Sequence, residues 1–133
     1  RYKEKNINAV VGIEARGFIF GAIIAERLGI SFVPIRKKGK LPCKVISEEY
    51  SLEYGTDTLE IDISSLNEDS NIVIIDDLIA TGGTALAAGN LIKKLNANIL
   101  EYSFLINLPE LGGAKKLKDN NYNVHSLIEF EGE

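Results

Sequence analysis

The stretch IVIIDDLIATGGT, residues 72–84, decides the fold of this chain. It starts with four consecutive β-branched residues, and a run this apolar leaves no face for water, so it predicts a buried parallel strand. Two adjacent carboxylates, Asp76 and Asp77, end the run. After a glycine pair, residues 85–95 have the composition of a helix, with Thr84 as its expected N-cap. The stretch therefore predicts a strand, an acidic pair, a glycine turn and a helix in direct succession.

The glycine turn has the composition of a phosphate-binding loop. Two glycines let the backbone curl so that successive amide hydrogens point inward, and the positive end of the following helix attracts an anion. The predicted loop consists of Ala80, Thr81, Gly82, Gly83 and Thr84. A Walker A loop is excluded, because it needs a lysine between its last glycine and the hydroxyl residue, whereas Gly83 precedes Thr84 directly.

The acidic pair needs a different partner from the phosphate, because like charges repel. Ionised carboxylates accept hydrogen bonds, and sugar hydroxyls donate them. Asp76 and Asp77 are therefore predicted to bind the hydroxyl groups of a sugar whose phosphate occupies the loop. A ribose 5-phosphate group satisfies both demands.

Strand and helix patterns alternate along the rest of the chain. The expected order is a strand at residues 9–13, a helix to about Leu28 with Gly29 as its cap, strands at 31–35, 59–63 and 72–75, a helix from 85, a strand at 99–106, a short helix at 113–118 and a last strand at 123–130. Such alternation predicts an α/β fold with a mostly parallel central sheet flanked by helices. Ligands then bind beyond the carboxyl ends of the strands, where the motifs lie.

Residues 72–84 resemble the phosphoribosyl diphosphate (PRPP) binding motif of the type I phosphoribosyltransferases. Three further segments resemble, in order and spacing, the adenine phosphoribosyltransferases of that family. These segments are VGIEARGFIFG at 11–21, RKKGKLP at 36–42 and EYSLEYG at 49–55. The similarity extends over nearly the whole chain, from about Asn8 to Phe130.

The resemblance implies the type I phosphoribosyltransferase fold and a glycosyltransferase of purine salvage. Its substrates would be PRPP and adenine, and its products AMP and pyrophosphate. Mg²⁺ is the expected cofactor, bound mainly through PRPP because it prefers oxygen ligands, and no residue is predicted to ligate a metal. The chain is expected to be one core domain, residues 1–133, that largely lacks the N-terminal hood segment of the family.

The resemblance also implies which cations contact the diphosphate. Arg16, Arg36 and Lys40 are expected to stabilise the negative charge that the leaving pyrophosphate gathers as the bond to C1 breaks. The Glu14–Ala15 peptide bond is expected to be cis, as the corresponding bond is in the family.

Residues 36–58 form a long polar stretch, which predicts a loop with a function of its own. By the resemblance it is a moving lid, in which Tyr50 and Tyr54 close over the site and exclude water. Glu53 is the expected catalytic residue, because it can accept the proton that adenine loses from its imidazole ring.

Adenine itself is expected to contact Phe18 and Leu108. The helix at 18–28 is polar only at Glu26 and Arg27, whereas a surface helix is polar along half of its circumference. We therefore expect this helix to be covered, either within the domain or at the interface of a homodimer, which is how the family assembles.

Composition bounds the function further. The net charge of −4 argues against nucleic-acid binding, and no apolar run is long enough to cross a membrane. The single cysteine, Cys43, suits a reducing compartment, so a cytoplasmic location is expected, and an exposed Cys43 would be a candidate reactive thiol. The only histidine, His125, has no acid or cysteine at a useful spacing and is expected at the surface or at a strand edge.

Two alternatives stay open at this point. A PRPP-sensing purine regulator would share the fold and the motif, but it would not need Glu53 and would carry a nucleic-acid-binding module or a basic surface. A phosphoribosyltransferase for another base, such as xanthine or orotate, would share residues 76–84 but not the segments EARG at 14–17 and LEYG at 52–55.

Overall fold

The computed structural model describes residues 2, 5–52 and 54–130. The chain forms seven strands and three α-helices. In chain order these are β1 (Ala9–Ile13), α1 (Arg16–Leu28), β2 (Ser31–Lys37), β3 (Val45–Leu52), β4 (Gly55–Asp62), β5 (Asn71–Ile79), α2 (Gly83–Lys94), β6 (Asn98–Asn107), α3 (Gly113–Asp119) and β7 (Val124–Glu129), with a 3₁₀ turn at Pro109–Leu111.

All seven strands belong to one sheet in the order β3-β4-β2-β1-β5-β6-β7. The five strands from β2 to β7 in that order are parallel, and β3 and β4 add an antiparallel hairpin at one edge. α1 packs on one face of the sheet, and α2 and α3 pack on the other. The predicted mostly parallel sheet with helices on both faces is confirmed, and the carboxyl ends of the parallel strands meet at one edge.

The central strand β5 is buried as its composition predicts, since residues 72–75 are all inaccessible to water. Two details differ from the prediction. β5 does not stop at the acidic pair but continues to Ile79. The helix that follows begins at Gly83 with Gly82 as its N-cap, so the prediction that Thr84 caps it is wrong. Gly82 has φ 87°, a left-handed conformation that glycine adopts without steric cost and threonine does not.

The prediction of a long loop over residues 36–58 is also wrong. Most of this region is the hairpin β3–β4, in which Val45 pairs with Asp62 and Leu52 with Gly55. Only one face of β3 is partly covered, so Glu49 is tolerated on the exposed face of an edge strand, and Glu48 on the covered face has polar partners on α2. Tyr54 lies in the turn between the two strands, and Glu53 lies outside the described residues.

Only part of the apolar surface of α1 is covered within the domain. The residues that face the sheet are small, Gly17, Gly21 and Ala25, and they let the helix approach β1 and β5 closely. Ile19 is 61% exposed and Ile23 is 52% exposed. The interpretation that α1 is covered within the domain is therefore wrong, and its outer face is an exposed apolar surface.

His125 and Cys43 are the only histidine and the only cysteine in the sequence. His125 lies on the edge strand β7, as expected. Cys43 is exposed, but partial desolvation and the Asp62 carboxylate raise the pKa of its thiol, which disfavours the reactive thiolate. No helix in the described part of the chain is long and apolar enough to span a membrane.

Candidate active site

A cavity of about 400 Å³ lies at the carboxyl ends of β1 and β5. Its walls are formed by the turn after β1, by the end of β5 with the glycine turn, and by the hairpin. The polar lining residues and the glycine turn are Glu14, Arg16, Lys37, Tyr50, Asp76, Asp77 and the five loop residues Ala80 to Thr84. Segments far apart in sequence therefore meet around one space, as the topology of a parallel sheet requires.

The acidic pair lies where the sequence places it, at the mouth of this cavity. The backbone amide of Asp77 donates a hydrogen bond to Asp76 Oδ1 at 2.8 Å, which orients the first carboxylate. Arg16 Nη1 lies 3.3 Å from Asp77 Oδ2. The start of α1 approaches closely because residue 17 is glycine: a Cβ there would lie 2.7 Å from the Ile75 carbonyl oxygen. Gly17 thus brings Arg16 to the acidic pair.

The two carboxylates differ in their electrostatic environment. Asp76 is largely buried, and desolvation raises its pKa to about 7, with the neighbouring Asp77 charge acting in the same direction. Asp76 therefore changes charge near neutral pH. A ligand that donates hydrogen bonds to the ionised carboxylate would shift this equilibrium toward ionisation.

This raised pKa predicts a pH-dependent stability. Folded Asp76 keeps its proton up to about pH 7, whereas the unfolded chain releases it near the ordinary value of 3.8. Between these values the folded state binds more protons, so its free energy of unfolding falls as pH rises. Asp76→Asn removes this loss, and we expect the variant to be more stable than the parent at about pH 8, by at most roughly 4 kcal/mol.

Urea denaturation of both proteins at acid and alkaline pH measures the difference. Near pH 4 both should unfold at the same urea concentration, because Asp76 is then neutral in the folded state. A constant difference at every pH would contradict the assignment of the raised pKa to Asp76.

The glycine turn has a shape that only its own sequence allows. A Cβ on Gly82 would lie 2.9 Å from Gly113 Cα, so the turn packs directly on the start of α3. The backbone then enters α2, whose first amides have no partner within the helix and can bind an anion. The Gly113 amide donates a hydrogen bond to the Ala80 carbonyl at 2.9 Å and fixes the other end of the turn.

The three predicted diphosphate cations are not equally placed. Arg16 lines the cavity. Arg36 and Lys40 do not line it, but both form ion pairs with Glu14, which does. Lys37 was not singled out by sequence, yet it lines the cavity and forms an ion pair with Asp57. Position in the strand explains this difference, because Lys37 ends β2 beside the cavity.

Glu14 is a second residue that the sequence did not single out. Its side chain is only 12% exposed and lies in the turn between β1 and α1. Burial alone would raise its pKa, but hydrogen bonds from the Lys37 amide and Lys40, together with the Lys40 charge, lower it below the ordinary value. The Glu14–Ala15 peptide bond is cis, as expected.

The hairpin brings one of its two predicted tyrosines to the site. Tyr50 lines the cavity, and its hydroxyl oxygen accepts a hydrogen bond of 3.5 Å from Thr84 Oγ1. Tyr54 is 95% exposed in the turn and does not line the cavity. The predicted base Glu53 lies outside the described residues, so its predicted role stays a prediction.

Glu48 fixes the hairpin to α2, which the sequence did not show. Its carboxylate accepts a hydrogen bond from Asn90 Nδ2 at 3.0 Å and lies 2.8 Å from Lys94 Nζ. The strand alternation that puts Ile46, Glu48 and Tyr50 on one face was the available signal. The hairpin and the phosphate loop are thus joined through a single helix.

The two residues predicted to contact adenine do not line this cavity. Among the described residues that line it, neither Phe18 nor Leu108 is present. The Phe18 ring packs edge-to-face on Phe32 at 5.8 Å and lies under the Arg36 guanidinium at 5.7 Å. Leu108 follows β6, and its amide donates a hydrogen bond to the Ile79 carbonyl. The contact of Phe18 and Leu108 with adenine therefore stays a prediction.

The described residues do not form a metal site by themselves. Within residues 2, 5–52 and 54–130, no three His, Cys, Asp or Glu side chains cluster closely enough to hold a metal ion. The cavity does offer two neighbouring carboxylates, which suit a hard cation that keeps most of its ligands from water and phosphate. The residues present therefore fit Mg²⁺ that arrives with a diphosphate.

Comparison with known proteins gives consistent results. The family model of the phosphoribosyl transferase domain matches residues 1–131. An adenine phosphoribosyltransferase of Methylobacillus flagellatus is 53% identical over 131 residues, which cover 98% of this chain and 74% of that protein. One from Chlorobium phaeovibrioides is 51% identical over 135 residues, which cover 100% of this chain and 76% of that protein.

Solved structures agree with the sequence comparison. The crystal structure of adenine phosphoribosyltransferase from Rhodothermus marinus superposes with a TM-score of 0.92 at 44% identity, covering 97% of this chain and 73% of that one. The Saccharomyces cerevisiae enzyme, complexed with adenine and an imino-altritol bisphosphate, gives 0.88 at 47% identity, with 95% and 70% covered. The chain therefore belongs to the phosphoribosyl transferase family, among the adenine phosphoribosyltransferases.

Proposed function

We propose that this protein transfers 5-phosphoribose from PRPP to adenine, giving AMP and pyrophosphate in purine salvage. The observation that supports this most is the single cavity that joins the phosphate loop, the acidic pair and Arg16. Relatives that are about half identical carry the name of this activity, and the solved yeast structure contains adenine.

The cavity has a group for each part of the sugar phosphate. The amides of the glycine turn and the start of α2 bind the 5-phosphate. Asp76 and Asp77 accept hydrogen bonds from the ribose hydroxyls, and this fixes the direction in which C1 points. Arg16 is then released from Asp77 toward the diphosphate, whose growing negative charge it stabilises as the bond to C1 breaks.

Mg²⁺ belongs to the proposal as a partner of PRPP. When bound, it neutralises diphosphate charge and so supports departure of the leaving group. In the chain itself, the carboxylates at the cavity mouth can order its water ligands. Lys37 is a further cation close enough to contact a diphosphate oxygen.

The hairpin completes the proposed mechanism. Tyr50 covers one wall and reduces the access of water to the sugar cation that forms during transfer. Glu53 is proposed to accept the proton that adenine loses. The contacts of Glu48 hold β3 against α2, the helix that begins at the phosphate loop.

We also propose a homodimer in which α1 packs against a second copy. The support is the exposed apolar pair Ile19 and Ile23 on a helix whose small residues face inward. A mass of one chain in sedimentation at micromolar concentration would contradict this arrangement.

AMP formation tests the proposed function directly. Radiolabelled adenine, PRPP and Mg²⁺ should give labelled AMP, and omission of PRPP or of Mg²⁺ should stop the reaction. Hypoxanthine, xanthine and orotate serve as matched bases. Transfer to one of these bases in preference to adenine would assign the protein to another base, and PRPP binding without transfer to any base would assign it to a sensor.

A further inference from the structure

The Glu14 carboxylate binds the basic segment at the end of β2, residues 36–40, whose Gly39 amide also donates to the Glu60 carboxylate. Glu14 Oε1 accepts a hydrogen bond from the Lys37 backbone amide at 2.8 Å and lies 3.3 Å from Arg36 Nε. Its other oxygen, Oε2, lies 3.3 Å from Lys40 Nζ. The turn after β1 and the segment 36–40 are therefore joined through a single side chain.

The Arg36 guanidinium has two restraints in this arrangement. Glu14 binds it through Nε, and the Phe18 ring lies 5.7 Å from the guanidinium carbon. The two terminal nitrogens of a guanidinium form a fork that suits phosphate oxygens. Two restraints on one planar group define its orientation.

The charges show that Glu14 does not neutralise this segment. One carboxylate faces two cations, Arg36 and Lys40, so the group of three keeps one positive charge. Each of the other two cations at the cavity has an acid of its own, since Arg16 pairs with Asp77 and Lys37 with Asp57. The surplus positive charge beside the cavity thus lies on the segment that Glu14 holds.

We propose that Glu14 is a positioning residue for the transfer reaction, which fixes Arg36 and Lys40 in the orientation that a departing diphosphate requires. This inference rests on the proposed function. Glu14 acts through the two cations and not on the substrate, because its carboxylate would repel a diphosphate. A diphosphate binds the hydrogen-bond donors of Arg36 and Lys40 that do not contact Glu14.

A simple counter-ion would behave differently from a positioning residue. Removal of the charge of a counter-ion strengthens binding of an anion and does not lower the rate of the chemical step, because negative charge grows on the leaving diphosphate. Removal of a positioning group lets the cations move, and a misplacement of about 1 Å can cost on the order of a hundredfold in rate. The rate and the affinity therefore separate the two roles.

Glu14→Gln is the decisive variant, because its amide oxygen can still accept the Lys37 hydrogen bond while the charge is lost. We expect the single-turnover rate of AMP formation to fall by about 10- to 100-fold. The Kd for PRPP should change by less than about threefold, because lost order and gained positive charge oppose each other. Glu14→Ala removes the oxygen that accepts from Arg36, so in this second variant the ¹⁵N–¹H signal of Arg36 Nε should lose its protection from solvent exchange.

Asp119→Asn is the matched control. It removes one negative charge from an exposed pair with Lys115 on α3, and it should leave the rate, the affinity and the Arg36 signal unchanged. Thermal denaturation of the parent and of the three variants identifies any general loss of folding.

An unchanged single-turnover rate in Glu14→Gln would overturn the inference, whatever the affinity does. An unaltered Arg36 Nε signal in Glu14→Ala would also overturn it, because Arg36 would then be held by other groups. The NMR comparison does not depend on the base or on turnover. If the parent forms no AMP, the proposed function fails, while loss of Arg36 protection still supports the role of Glu14.

Discussion

Replacement of Asp76 and Asp77 together by Ala is expected to abolish PRPP binding while the sheet stays folded. The two carboxylates are the acceptors for the ribose hydroxyls, and hydrogen bonds to charged groups contribute about 1.5–3 kcal/mol each, so loss of both reduces affinity by at least a hundredfold. Folding survives because both residues follow the buried part of β5 and lie at the cavity mouth. Titration calorimetry of PRPP with the double variant measures the effect.

Glu68 and Asp69 provide the matched control for this double variant. They are also adjacent acids, they are exposed, and they lie at the opposite end of β5. Their replacement by Ala changes the net charge equally and should leave PRPP affinity unchanged. If the Asp76/Asp77 variant binds PRPP as tightly as this control, the acidic pair does not bind the ribose.

Asp76 illustrates a cost of the site to the fold. Its raised pKa means that ionisation at the cavity is unfavourable until a ligand donates hydrogen bonds to it. The substitution that we expect to stabilise the free protein at alkaline pH, Asp76→Asn, therefore also removes an ionised acceptor for the ribose. A stability gain and an affinity loss from one substitution are expected where a buried charge serves binding.

The features that can be predicted from the sequence depend on residues that are close together in the chain. The apolar run of β5, the acidic pair and the glycine turn each follow from the properties of neighbouring residues, and the cavity brings them together as the parallel topology requires. The Gly29 cap of α1 is a similar case, since φ 68° there follows from one residue.

The features that sequence missed depend on distant partners. The number of carboxylates in β3 predicts a loop unless their alternation along the strand is considered. The Glu48 carboxylate accepts hydrogen bonds from Asn90 and Lys94, which are more than forty positions away. Glu14 likewise gains its role from Arg36 and Lys40 on another strand end. No pattern within one segment contains such pairings.

Glu53→Gln tests the proposed general base of adenine transfer most directly. General base assistance contributes about 10²- to 10⁴-fold, and we expect a loss in that range in single-turnover AMP formation. Single-turnover conditions are needed because slow product release would conceal a loss in the chemical step. The melting temperature and PRPP affinity should stay nearly unchanged, since the proposed role of Glu53 is toward adenine alone.

The choice of control follows from the structure. Glu48 is unsuitable, because its contacts with Asn90 and Lys94 hold the hairpin and Glu48→Gln would disturb them. Glu49 lies on the exposed face of the same strand, so Glu49→Gln removes an equal charge from the same hairpin and should keep the parental rate. If Glu53→Gln matches Glu49→Gln, adenine loses its proton to water or to another group, the hairpin serves only to exclude water, and a PRPP sensor becomes the better description of the protein.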